Sequence, residues 1–310
     1  MFGHRLQNEM KWMRSKVHHH DGSLESISHR IPEFTRSAFS GNDYLDVITR
    51  KPQSDIATPT SVGVVSRQYQ LVQHKHVYDR AVKALDAVGI DHGDVSAQLA
   101  LTEYGEHMAL IITLPNSMRI DPGDGKEMSL NICFFNSVDG SAIFRMLLGW
   151  FRFVCSNGMV VGSANADYRK RHDKNLHVDD MNALLQGGLR YATREAEQFK
   201  QWVQQPVSAE KLTTWIDGPV VKKWGVKAAT RAYHIATEGR DAKVIPFTPK
   251  ASPSEKPVEL GGFVPGSDTP AANIYAASQI LTWLASQRRD IEDQLRWQGD
   301  IPDLMRALIK

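Results

Sequence analysis

The residues best suited to chemistry in this chain are two arginines set in an otherwise apolar run. Met128 to Gly162 reads MSLNICFFNSVDGSAIFRMLLGWFRFVCSNGMVVG. Counted at helical spacing from Ser141, the non-apolar positions are Ser141, Arg145, Gly149, Arg152 and Ser156, each three or four residues after the last. That spacing predicts a buried helix with one narrow polar stripe. The stripe carries two arginines and no acid. Guanidinium forks hold phosphate oxygens in fixed geometry, so Arg145 and Arg152 are candidates to line a groove for an anionic backbone. The plainer alternative is that they pair with nearby carboxylates or point into solvent. Asn136, Asp139 and Gly140 read as a turn, with Ser141 as N-cap of the helix and Asn157 and Gly158 as its left-handed stop.

Two further basic runs join the list. Asp167 to His177 reads DYRKRHDKNLH, in which Arg169, Lys170, Arg171 and Lys174 outnumber Asp167 and Asp173. Lys222, Lys223 and Lys227 fall in a predicted helical region. Each run reads as an outer contact for phosphates or as a solvated face.

Enzymatic signatures are missing. The chain has no Walker-type phosphate loop, no Gly-x-Gly-x-x-Gly after a strand and no His-Glu-x-x-His, so no nucleotide cofactor is expected. His18, His19 and His20 are metal-ligating residue types, but consecutive histidines on a flexible arm lack fixed geometry, and no metal site is assigned. Cys133 on a strand and Cys155 in the apolar run read as inert buried thiols in a reducing compartment. The chain of 310 residues is 42% hydrophobic and 23% charged, with a formal net charge of +2. That balance does not mark a nucleic-acid binder, so such a role must rest on local clustering. Without a membrane-spanning apolar run or a secretory leader, a cytoplasmic protein is expected.

These residues need elements to hold them. Residues 1–65 are polar and weakly periodic and read as an N-terminal arm. Residues 66–165 predict a core domain: a short strand Gln68 to Val72, a helix from Lys75 to Val88, three strands (Gly93 to Glu103, His107 to Leu114, Met128 to Phe135) and the arginine-striped helix. Residues 166–244 predict a helical region, residues 245–270 a flexible Pro- and Gly-containing linker, and residues 271–310 a C-terminal helical segment. The fold class expected is α+β, an antiparallel β-meander packed on a long buried helix, followed by a mostly helical C-terminal region.

Two resemblances follow from these residues. SRQYQLVQH at Ser66 to His74, NSVDGS at Asn136 to Ser141 and GWFRFVCSNGMVV at Gly149 to Val161 resemble a phage- and plasmid-associated family known as a domain of unknown function, over about residues 55 to 240. That family usually has His in the Asn-Ser-His-Asp-Gly-Ser turn, where this chain has Val138, so no role resting on that histidine is assigned. The predicted order of helix, meander and basic-striped helix is similar to the core of ring-forming single-strand annealing recombinases of the Rad, RecT and Redβ type. That resemblance implies a groove for single-stranded DNA lined from the element carrying Arg145 and Arg152, and a homo-oligomer, ring or filament, in which neighbours complete the sheet. Annealing needs no catalytic acid, metal or nucleotide, only neutralised phosphates and exposed bases. The function expected is therefore a cofactor-free, non-enzymatic single-stranded DNA-binding and annealing protein of a phage or plasmid, its last helix left free to contact a neighbour or a replication or single-strand-binding protein. The alternative is an anti-defence or other host-protein-binding module.

Overall fold

The computed structural model describes residues 16–152, 161–176, 181–244, 258–264, 267, 269–288 and 291–310, with backbone only at residues 151, 152, 161–167, 244, 291, 292 and 295. Its centre is a six-stranded antiparallel sheet with strand order β1-β5-β6-β7-β8-β9. The strands are β1 (Val17–Gly22), β5 (Ser96–Thr102), β6 (His107–Thr113), β7 (Met128–Ser137), β8 (Phe144–Arg152) and β9 (Val161–Lys170). From β5 to β9 each strand pairs with the one before it in sequence, so the meander is five strands long.

The central strands β6 and β7 are buried on both faces, and every second residue of the meander points to the main core. Leu99, Leu110, Phe134 and Met146 lie side by side across four strands, and with Leu101, Ile112, Ile132 and Leu148 they form the sheet side of the main core. Helices supply the other side: α1 (Leu24–Ser28), α2 (His74–Ala87), α3 (Met181–Gln204), α4 (Ala209–Trp215), α6 (Val226–Glu238), α7 (Ile274–Ser286) and α8 (Ile291–Ile309). A π-helical turn (Ile216–Val220) holding Pro219 and a short α5 (Val221–Trp224) join α4 to α6. The α+β class and the helical C-terminal region are as the sequence predicts.

The predicted helix over Ser141 to Cys155 is not. Phe144–Arg152 is strand β8, paired with β7 on one side and β9 on the other, while 153–160, with Cys155 and the Asn157–Gly158 stop, lie outside the described residues. The physical reason is that both faces of this strand are buried. Phe144, Met146, Leu148 and Trp150 face the main core, and Arg145 and Leu147, on the opposite face, are buried too. A strand covered on both sides loses its period-2 alternation and reads like a buried helix.

Other boundaries move as well. Residues 16–65, read as an irregular arm, hold β1, α1 and a separate three-stranded sheet of β2 (Phe34–Ala38), β3 (Leu45–Arg50) and β4 (Thr60–Ser66). Its own small core of Phe34, Ile48 and Val65 closes over Val138 of the β7–β8 turn. Gln68 to Val72 pairs in no sheet: Gln68 lies in the turn after β4, and the residues that follow lead to α2. Within the predicted linker, β11 (Glu259–Phe263) pairs with β10 (Arg240–Val244). The predicted C-terminal helical segment, 271–310, holds two helices, α7 and α8, and Pro302 lies inside the second.

Candidate functional site

The sequence places nine basic residues in the site, and the structure separates them. Arg145 is 6% exposed. It stands between Phe135 of β7 and Arg169 of β9 in the sheet register, and its charge favours the Cys133 thiolate against the burial that pushes that thiol's pKa up. It therefore does not line an open groove, and the described part of the predicted helix on which the recombinase resemblance rests, Phe144–Arg152, is a strand. Arg152 closes β8 opposite Met128, and its side chain lies outside the described residues.

The two outer runs do come together. Arg169, Lys170, Arg171 and Lys174 are exposed where β9 ends, and His172 alone among them turns inward. Lys222, Lys223 and Lys227 are exposed on α5 and α6. Both runs reach the same turn of α8. A Cβ built on Gly299 would sit 3.2 Å from Nη2 of Arg169, and the next residue, Asp300, accepts from Lys223 Nζ at 3.0 Å and from Trp224 Nε1 at 3.1 Å. The hydrogen bond that Lys223 donates to Asp300, and the charge of that carboxylate, raise the Lys223 pKa, so this lysine stays cationic. Trp224 stacks on Trp297 with ring centroids 4.3 Å apart, and the Arg288 guanidinium lies 4.5 Å from the Trp297 ring. Sequence reading missed Gly299, Asp300 and Trp297, because only the tertiary fold brings them to the lysines.

The turn between β7 and β8 gathers a second set of polar residues. Asp139 Oδ1 accepts from the Ser141 hydroxyl at 2.8 Å and from its backbone N–H at 3.1 Å, while Oδ2 lies 3.2 Å from His107 Nε2. Ser141 Oγ is itself 2.7 Å from that nitrogen. Burial alone would raise the Asp139 pKa, but His107 and the Ser141 donors outweigh it and lower it. The arrangement is not a nucleophile triad. In a triad the serine and the carboxylate use opposite imidazole nitrogens, whereas here both meet the same one and the serine proton goes to the carboxylate. What the cluster does is brace the turn, at Gly140 with φ +81°. β4 presses on it so closely that a Cβ on Gly63 would lie 2.6 Å from Asp139 Cα.

Beneath the turn, His74 Nε2 lies 2.8 Å from the Gly105 carbonyl and Nδ1 2.8 Å from Asn136 Nδ2. Nε2 must carry the proton and Nδ1 must accept. Burial, reinforced by the neighbouring His107 and His172, lowers the His74 pKa to about 3, so the ring is neutral. The same Asn136 amide donates to Val72 O at 2.9 Å, and Tyr69 OH donates to Ser137 O at 2.9 Å while its ring stacks on His172. These bonds fasten the 69–73 segment and the first residue of α2 across the strand ends. Among the described residues no group of three or more His, Cys, Asp or Glu is placed to hold a metal, and no helix is long and apolar enough to cross a membrane.

No solved structure matches the chain. A family described as a domain of unknown function (DUF932) matches residues 61–247, more than half of the chain and the whole span from β9 to α6 that carries the converging basic runs. With the signature turn Asn136 to Ser141 and the basic strand end both inside that span, the chain belongs to the DUF932 family.

Proposed function

We propose that this protein binds single-stranded DNA through its phosphates and anneals complementary strands without a cofactor, using the surface where the end of β9 and α5–α6 meet α8. The observation that carries the reading is the convergence of Arg169 and Lys223 on Gly299 and Asp300. It joins residues fifty-four positions apart in the chain, while the net charge of the whole stays at +2. Local clustering against a near-neutral background suits a backbone track rather than general polyanion adhesion. Trp297 is buried in its stack with Trp224, so the surface offers cations rather than a ring on which bases would stack. A strand held by its phosphates keeps its bases free for a second strand, as annealing requires. Assembly into a homo-oligomer belongs to this proposal and is read by light scattering with and without DNA.

The test is charge reversal at exposed positions, Lys170→Glu, Lys174→Glu and Lys222→Glu together. Affinity for a labelled oligo-dT should fall about tenfold or more at moderate salt, and the slope of log affinity against log salt should shrink by about 0.7 for each phosphate no longer neutralised. Thermal stability should stay within about 0.5 kcal/mol per site. A parent protein that ignores single strands at low salt, or a triple variant that binds like the parent, overturns the reading and puts the host-protein-binding module in its place.

A further inference from the structure

The histidine triplet, which the sequence places on a flexible arm, lies in a regular strand. β1 pairs antiparallel with β5 in unbroken register, His18 opposite Leu101, His19 opposite Ala100 and His20 opposite Leu99. Side chains alternate along a strand, so His18 and His20 share the face of Leu99 and Leu101, and His19 is on the other. Residues two apart on one strand face stand roughly 6.5 to 7 Å apart at the backbone, a span two imidazole rings can close onto one ion.

We propose that His18 and His20 form a two-imidazole chelate for a divalent transition-metal ion of the zinc, copper or nickel class. Three features support it. The rings are accessible, since His18 is exposed and His20 half-buried. They are also close enough to feel each other's charge. Imidazole nitrogen is the ligand that this class of ion prefers, and two such ligands leave the remaining coordination positions to water. The surrounding charges are mixed: Arg30 opposes a cation at His20, while Asp55 and Asp21 favour one, and Asp55 is already shared with Arg50 at 2.8 Å. A ligand set held by strand pairing makes a demand that a loose triplet does not, because the middle histidine must be dispensable.

The experiment uses the full, tag-free chain stripped with a chelator, titrated calorimetrically with zinc and with nickel. One ion per chain is expected. His18→Gln and His20→Gln should each weaken binding by about tenfold or more, and His19→Gln by no more than about twofold. Metal should also raise the melting temperature of the parent and of His19→Gln, and of neither other variant, with EDTA reversing the rise. Absence of uptake by the parent overturns the proposal. So does a His19→Gln variant as impaired as the other two, which would indicate chelation by an unstructured triplet. If His20→Gln melts early in EDTA, the exposed His18→Gln variant decides alone.

Discussion

At the scale of single residues, two buried titratable groups contribute opposite slopes to the pH dependence of stability. His74 has its pKa lowered to about 3 from 6.5, so between those values the unfolded chain binds a proton that the native state refuses. Stability then rises with pH at up to about 1.4 kcal/mol per unit and is complete above pH 6.5. Glu195 on α3 is the opposite case. Burial raises its carboxyl pKa to about 8 from 4.5, so the native state holds a proton that the unfolded chain releases, and stability falls as pH climbs from 4.5 to 8. The two slopes cancel between about pH 4.5 and 6.5, which predicts a plateau there and losses on either side. Denaturant melts across pH 3 to 9 should show the alkaline fall flattened in Glu195→Gln, with a gain of about 1 to 3 kcal/mol at pH 8 to 9. The acid fall should flatten in His74→Gln. An unchanged slope in either variant removes that residue from the account. Neither effect was legible beforehand. His74 and Asn136 are sixty-two positions apart, and only the folded chain puts an imidazole nitrogen on an amide; the turn Asn136 to Ser141 was legible because its residues are local turn formers.

Among the elements, β8 shows where sequence patterning fails and why. β5, β6 and β7 are foreseeable because Asp-Gly and Gly-bounded turns separate short apolar runs, and α2 because its apolar residues recur every three or four. β8 carries the same Asp139–Gly140 signal at its start, yet its two apolar faces mimic a helix, and Arg145 and Arg152 fall by coincidence on helical spacing. The hairpin signal was the better guide, since two apolar runs of similar length flank a turn. The strand assignment reverses what substitutions should do. Arg145→Ala is expected to destabilise the fold by at least about 1 kcal/mol, through lost packing of a buried stem and guanidinium, and to leave DNA affinity unchanged. Trp150→Ala, on the core face at 3% exposure, should cost about 3 to 5 kcal/mol. Thermal melts of the two variants beside oligonucleotide binding check both, and an Arg145→Ala protein that melts like the parent but binds DNA poorly would restore the groove. The exposed run Arg169 to Lys174 needed no such geometry to be found, because composition alone marks it.

Across the whole molecule, the C-terminal helices are structural members rather than a free arm. Ala272 and Gln205 bond the entry of α7 to the end of α3, through Val207 N–H to Ala272 O at 2.9 Å and Ile274 N–H to Gln205 O at 3.0 Å. α7 is buried around its whole circumference, with the Ser278, Thr282 and Ser286 hydroxyls turned back onto carbonyls of their own helix. Asp241 ties β10 to this layer by accepting from Arg231 at 2.6 Å and Trp283 Nε1 at 2.7 Å. α8 then covers α7, presenting Trp297, Ile301, Leu304, Met305 and Leu308 to the main core and the Leu304 carbonyl to Trp215 Nε1 at 2.8 Å. Five large side chains at about 1.5 to 3 kcal/mol each amount to roughly 10 kcal/mol, comparable with the entire stability of an ordinary domain. A chain cut after Ser286 is therefore expected to lose its cooperative melt and to aggregate. The cut also removes Asp300 from Lys223 and Gly299 from beside Arg169, so the proposed DNA surface should go with the fold. Circular dichroism and light scattering on the truncated chain decide the matter: a soluble product that melts cooperatively near the parent's temperature would show that α8 is an appendage, and would return the last helix to the role of a contact arm.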